Sequence, residues 1–299
     1  LLKEGLGFMH FIIYSGFDRD ADISVVKQIQ KILDNKKATY SLASYRESGF
    51  VGMSYNKFSD VVGDADVVIV VGGDGTVLRA AERITEAGLE TPIFAVNRGQ
   101  CGFLADTEPE DFDKEIDKVL SGGYELEKRT ALEVAYGGKT HYALNEVIVY
   151  KKDIARPVVI EVFIGRDTIL GAAKADGVCL ATPTGSTAYS MSAGGSILSP
   201  DVHAVSLCMI CAHTLMNKPL VLSDEHTFSI RLAKNSLDGL LMVDGDVKQE
   251  VSGDTAVIVK KADLTVNFIK VRHHDFYERL VSKLAHWATP ADDLHNDVE

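Results

Sequence analysis

The chain has 299 residues, 46% hydrophobic and 25% charged, a balance that excludes wholesale disorder and suits one large domain or two ordinary ones. With 31 Lys and Arg against 43 Asp and Glu, the net charge is −12. That charge speaks against non-specific binding of nucleic acid or of an anionic membrane, since both are polyanions.

The opening segment, LLKEGLGFMHFIIY, carries Glu4 and His10 beside a short apolar run. It reads as a first strand and not as a signal peptide. No apolar run approaches the length needed to cross a bilayer. Cys101, Cys179, Cys208 and Cys211 are too few for a disulfide scaffold of this size and read as reduced thiols. A soluble, cytoplasmic protein is expected.

Asp22 or Ser24 suits the cap of a helix in which Val25, Val26, Ile29, Ile32 and Leu33 recur at helical spacing. The run Val67–Val71 is unbroken and apolar, as in a parallel strand covered on both faces, and it leads directly into Gly72-Gly-Asp-Gly-Thr76. Residues 77–88 read as a helix ended by Gly88, and residues 92–97 as a further strand. Beyond about residue 125 the pattern becomes β-rich. Residues 131–152 read as two strands joined at Gly137-Gly138, and residues 158–182 repeat the theme with a turn near Gly165. Strand-like runs follow at 204–211, 227–232, 239–243 and 255–269, then a helix over 275–287 that packs back on one of the domains and a frayed last dozen residues. The expected fold is an α/β N-terminal domain with a Rossmann-like doubly wound sheet (1–105), then a β-rich, β-sandwich-like domain (106–272), then the C-terminal helix and tail (273–299).

Two segments carry chemistry. In Gly72-Gly73-Asp74-Gly75-Thr76, glycines at the carboxyl end of a parallel strand let the backbone approach a ligand, and the N–H groups opening the next helix suit phosphate oxygens. A carboxylate inside such a turn suits a base for an attacking hydroxyl, or a magnesium ligand, the two requirements of phosphoryl transfer. A plain tight turn with Asp74 as a cap is the competing reading. The turn is not a dinucleotide fingerprint, because Leu78 occupies the third glycine position. In the second segment, from Asp176 to Gly195, an apolar strand runs into small hydroxyl residues around Pro183 and Gly185, with one aromatic, Tyr189. Short donors and acceptors beside a flat ring suit a nucleoside.

These segments, together with Asn97, Gly99, Gly102-Phe-Leu104 and Asn145-Glu146, occur in an order that resembles the NAD kinases. Ala212-His213-Thr-Leu215, Lys218-Pro219-Leu-Val221 and the ending at Trp287 are smaller echoes. The turn at 72–76 is shared with diacylglycerol-, sphingosine- and phosphofructokinase-like enzymes; residues 176–195 and Asn145-Glu146 narrow the match. The resemblance implies transfer of the γ-phosphate of ATP to the 2′-hydroxyl of the adenosine ribose of NAD, with Asp74 as general base. It implies Gly72, Gly73, Gly75 and Arg79 near the nucleotide phosphates, and Asn145 and Glu146 holding the adenosine. Thr187, Ala188, Tyr189, Ser190, Met191 and Ser192 are expected to line the same site, with Phe103 packing against the adenine. Arg156, Lys174, Asp176 and Asp246 stand where the family places further NAD contacts. The resemblance also implies a divalent ion such as Mg2+ carried mainly by the nucleotide, no protein metal ligands, and a homo-oligomer, a dimer or tetramer. Inorganic polyphosphate stays open as a donor. A lipid kinase sharing the turn and a non-catalytic dinucleotide sensor are the alternatives. The first leaves Asn145-Glu146 unexplained, and the second has no use for Asp74.

Other patterns are set aside. Gly138-Lys139-Thr140 lacks the upstream glycine of a phosphate loop, and residues 18–22 lack the glycine and closing glutamate of a calcium loop. Cys208-x-x-Cys211 with His213 sits in a run that reads as a buried strand, so two buried thiols are expected there, not a zinc site. His273-His274 is assigned to the surface.

Overall fold

The computed structural model describes residues 9–16, 20–44, 56–98, 102–214, 218–253, 255–272 and 276–288. The expectations at Gly99, Cys101, Leu215, His273-His274 and the tail beyond 288 lie outside the described residues.

The first half alternates β1 (His10–Ser15), α1 (Asp20–Asn35), β2 (Thr39–Ser44), β3 (Asn56–Lys57), the single turn α2 (Phe58–Val61), β4 (Val67–Val71), α3 (Asp74–Glu86), β5 (Ile93–Val96) and α4 (Phe112–Leu120). The five strands are parallel, in the spatial order β5-β4-β1-β2-β3. Alternation along β4 explains its unbroken apolar sequence. Val68 and Val70 pack with Val77, Ala80 and Ile84 of α3 on one face, while Val67, Ile69 and Val71 meet Val26, Ile29 and Leu33 of α1 on the other. Gly88 ends α3 as expected: at φ 71° it turns the chain while Leu89 N–H donates to Ile84 carbonyl at 3.1 Å. Helix α4 adds Phe112, Ile116 and Val119 to this core, beyond the boundary expected near residue 105.

The second half consists of β6 (Glu125–Tyr136), β7 (Lys139–Ala143), β8 (Glu146–Lys151), β9 (Val158–Ile164), β10 (Asp167–Ala175), β11 (Gly177–Ala181), α5 (Tyr189–Ser192), β12 (Ala204–Ile210), β13 (Leu220–Ser223), β14 (Phe228–Leu232), β15 (Gly239–Val243), β16 (Asp246–Val251), β17 (Val257–Lys270) and α6 (Phe276–Ala288). Six of these strands form one antiparallel sheet, ordered β13-β12-β11-β8-β15-β16. The others extend the first-half sheet through β17, whose early residues pair with β14 and whose Phe268 pairs with Ile93 of β5. Between the two sheets lies a core containing Val147, Val149, Val178, Leu180, Val162 and Ile230.

Both expected hairpins prove to be three strands. Residues 131–152 break again at Leu144-Asn145, where the chain leaves β7 in one sheet and enters β8 in the other. Residues 158–182 break again at Asp176 for the same reason, between β10 and β11. An apolar run that changes sheets shows no change in its residue period, so the breaks escape a reading of periodicity. No described helix is long and apolar enough to cross a membrane.

Candidate active site

Asp74 is the first residue of α3, directly after Gly73, whose extended backbone (φ −90°, ψ −177°) stops the helix from starting earlier. The N–H groups of Asp74 and Gly75 stand in the first turn and have no carbonyl one turn back to receive them. A Cβ added to Gly73 or Gly75 would meet nothing within 4 Å, so this turn is open to a ligand. One at Gly72 would strike the Thr76 side chain, which requires glycine there.

The Asp74 carboxylate reaches across to the loop after β5. Oδ2 accepts from Phe103 N–H at 2.8 Å, and Oδ1 accepts from Leu104 and Ala105 N–H at 3.1 and 3.3 Å. Gly102 is needed for this approach, because a Cβ there would collide with the carboxylate. A carboxylate offers roughly four acceptor positions, so one remains on Oδ2. The ring of Phe103 lies with its centroid 4.0 Å from Lys283 Nζ and 6.5 Å from the ring of Phe276, so α6 docks against this loop.

A second carboxylate repeats the arrangement. Asp244, in the β15–β16 turn, accepts from the N–H groups of Leu144, Asn145 and Glu146 at 2.8, 2.8 and 3.0 Å. Sequence reasoning named Asp246 of the same Val-Asp-Gly-Asp turn and missed Asp244. The available signal was the Asp-Gly pair, which marks a hairpin residue forced to positive φ, and Asp244 has φ 48°. Asp246 instead pairs with Arg79 at 3.3 Å and lies 3.8 Å from Lys248. Gly75, Leu78, Arg79, Glu82, Asp244 and Asp246 line a cavity of about 80 Å3 between α3 and this turn. The glycine-aspartate turn and the Asn145-Glu146 link therefore meet around Asp244.

The hydroxyl-rich segment packs beneath the same link. Thr182 N–H donates to Asn145 carbonyl at 2.9 Å, and Thr182 Oγ1 donates to Leu144 carbonyl at 2.6 Å. Several hydroxyls there are structural. Ser186 Oγ donates to Pro183 carbonyl and accepts Leu198 N–H, Thr187 Oγ1 donates to Thr184 carbonyl, and Ser190 is buried against Cys208. Tyr189 and Ser192 are exposed, while Ala188 and Met191 are half-buried. Asp176 pairs with Lys151 at 2.8 Å. Burial, with smaller contributions from Tyr150, Cys179, Cys211 and Asp176, raises the pKa of the Tyr189 phenol. Two further expected contacts are at exposed positions. Arg156 is exposed on the β8–β9 loop and forked onto Asp153, and Lys174 is exposed on β10. The thiol reading needs one correction. Cys179 and Cys208 are buried opposite each other on β11 and β12, but Cys211 lies beyond the end of β12, exposed at φ 49°.

Glu146 is 5% exposed, and its Oε2 has no hydrogen-bond partner. Burial, followed by the nearby Asp244 carboxylate, pushes its carboxyl up to about 8, against an opposing N–H from Tyr189. Asp244 is likewise pushed up, to about 6, chiefly by burial and in spite of its three N–H donors. The consequence for stability has a definite sign. The unfolded chain releases the Glu146 proton near 4.5, whereas the folded chain holds it to about 8. Between those values the folded state binds the extra proton, so stability falls as pH rises. Urea titrations of Glu146→Gln are expected to show a smaller loss between pH 5 and 8 than the wild type. At pH 8 the variant should be more stable, by on the order of a few kcal/mol. A difference independent of pH would contradict the buried-acid assignment.

An open glycine turn at a helix start, a carboxylate held inside it and a convergent polar link from a second sheet define a nucleotide-dependent phosphotransferase. Residues 23–124 match the ATP-NAD kinase N-terminal domain, and residues 144–271 match the ATP-NAD kinase C-terminal domain. The chain is 33% identical over 285 residues to the NAD kinase of Methanothermobacter thermautotrophicus, covering 92% of this chain and 96% of that one. It is 37% identical to the NAD kinase of Pseudoalteromonas translucida over 76% of this chain and 79% of that one. The chain belongs to the ATP-NAD kinase family. Its fold matches yeast NADH kinase complexed with NADH (TM-score 0.81, 23% identity, 95% of this chain and 89% of that one). It also matches an NAD kinase from Archaeoglobus fulgidus in complex with ATP (TM-score 0.74, 24% identity, 93% and 99%).

Proposed function

We propose that the protein transfers the γ-phosphate of ATP to the 2′-hydroxyl of the adenosine ribose of NAD, giving NADP. The observation that carries the reading is the Asp74 carboxylate, held by three loop amides with one acceptor position left beside an open phosphate-binding turn. In the reaction the ribose hydroxyl gives its proton to Asp74 Oδ2 as its oxygen bonds to phosphorus. The bond from the γ-phosphorus to the β-phosphate oxygen breaks, and ADP leaves. Aligning the two nucleotides lowers the barrier further. The free N–H groups of Asp74 and Gly75, with Arg79, face the donor phosphates.

Asn145, Glu146, Asp176, Tyr189 and their neighbours hold the acceptor. The donor enters as its magnesium complex. Asp74 and Asp244 accept backbone N–H groups and Asp246 pairs with Arg79, which supports a reading in which the ion is carried mainly by the nucleotide. The active form is a homo-oligomer, in which the exposed Arg156 and Lys174 are available to a neighbouring subunit's NAD. A lipid acceptor is disfavoured, because it leaves the Asn145-Glu146 link without a role, and four of the six residues lining the cavity beside the turn, Arg79, Glu82, Asp244 and Asp246, are charged or ionisable.

The test is incubation with MgATP and NAD, with NADP read by an NADP-specific dehydrogenase. NADP formation is expected. Tight NAD binding without it would favour the sensor reading. The same assay with inorganic polyphosphate decides whether that donor is used.

A further inference from the structure

We propose that Asp244 is a positioning residue that fixes the Asn145-Glu146 edge of the NAD site against the phosphate-binding turn. The inference rests on the kinase reading above and concerns a residue that touches neither reacting atom.

The link between β7 and β8 is only two residues long, and there the chain crosses from one sheet to the other. Such a crossing leaves its backbone N–H groups outside either ladder, and a buried N–H without a partner is costly. One side chain supplies partners for both of these N–H groups and for that of Glu146, the first residue of β8. Asp244 Oδ2 takes Leu144 N–H at 2.8 Å, and Oδ1 takes those of Asn145 and Glu146 at 2.8 and 3.0 Å. Its own N–H donates to Glu146 carbonyl at 3.0 Å, which closes the clamp from the backbone side.

The backbone of the Asp244-Gly245 pair is that of an ordinary Asp-Gly hairpin, with Asp244 at φ 48°; what sets the residue apart is where its carboxylate lies. Asp244 borders the cavity shared with Gly75 and Arg79 while gripping residues 144–146, so it sets the spacing between the donor turn and the acceptor's adenosine. Loss of the clamp lets Asn145 and Glu146 turn away from the ribose. The first turn of α3 is held separately, by Asp74 on the 103–105 loop, and is left in place.

Asp244→Gly keeps the positive φ and removes the acceptor. Asp244→Asn keeps the φ and one acceptor oxygen. The KM for NAD is expected to rise about tenfold or more in the glycine variant and a few-fold in the asparagine variant. In both, kcat and the KM for ATP should stay within about threefold of wild type, in keeping with an effect on acceptor binding alone. A general structural defect would instead move kcat, both KM values and the thermal midpoint together, and that result would overturn the proposal. So would an unchanged KM for NAD in Asp244→Gly or, where that variant does not fold, in Asp244→Asn. Failure of the wild type to form NADP would overturn the kinase reading and the NAD-site assignment with it. NADP formation by the wild type with no selective NAD effect in the variants would overturn only the role of Asp244.

Discussion

Asp74→Asn is expected to lower kcat by about 10²- to 10⁴-fold, the range for loss of a general base, with the KM for NAD changed only a few-fold. The geometry makes this a sharper test than it is for most catalytic carboxylates. Asparagine keeps one oxygen, which can still take the N–H groups of Leu104 and Ala105 that now share Oδ1. Its amide nitrogen, however, replaces Oδ2, the atom that receives Phe103 N–H and carries the remaining acceptor position. The substitution therefore removes the proton acceptor and one loop contact together. The two effects separate in the kinetics. Loss of the base lowers kcat, and with it the rate at every NAD concentration, while a loosened 102–105 loop raises the KM for NAD. A variant within a few-fold of wild-type kcat would leave Asp74 as a loop clamp alone, and the base would have to be sought elsewhere. A large rise in KM with kcat preserved would say the same by a different route.

The glycine-aspartate turn was legible because everything that defines it is local. An apolar strand, a glycine bend and an amphipathic helix follow one another within about two dozen residues, and each obeys its own period. Asn145-Glu146 and the hydroxyl-rich segment were legible as residue types, through a resemblance, but their contact was not. It depends on β8 pairing with β11, which sets Glu146 opposite Ala181, a register that only long-range packing fixes. The individual hydroxyls show the limit of that reading. Thr187 and Ser190, both expected to line the NAD site, are buried and also serve the segment's own turns and packing. Asp244 was passed over for Asp246 because both carboxylates sit in one four-residue turn, and what separates them is a backbone angle. The joining of the two halves was hidden as well. β17 reads as one β-rich run, but a register shift between Lys261 and Thr265 lets its two ends serve different parts of the sheet.

Gly185→Ala is expected to destabilise the protein by about 3 kcal/mol, the upper range for overpacking, and to weaken NAD binding with it. Gly185 is buried in the hydroxyl-rich segment, and an added Cβ would overlap the carbonyl oxygen, carbonyl carbon and Cα of Asn145. All three are backbone atoms, so no rotamer change relieves the clash. Asn145 has little freedom to move away. Its carbonyl receives Thr182 N–H at 2.9 Å, its N–H is held by Asp244 at 2.8 Å, and the next residue is already in β8. The cost must fall on the link itself, which is the edge of the NAD site. Gly73→Ala is the matched control. An added Cβ there meets nothing within 4 Å, and the backbone angles are ones alanine adopts freely, so its stability should stay within about 0.5 kcal/mol of wild type. Urea denaturation of the two variants, with NAD binding followed by calorimetry, checks both halves of the expectation. Equal stability for Gly185→Ala and wild type would mean that the hydroxyl-rich segment does not press on residues 144–146 in solution. The convergence on which the site is built would then fail.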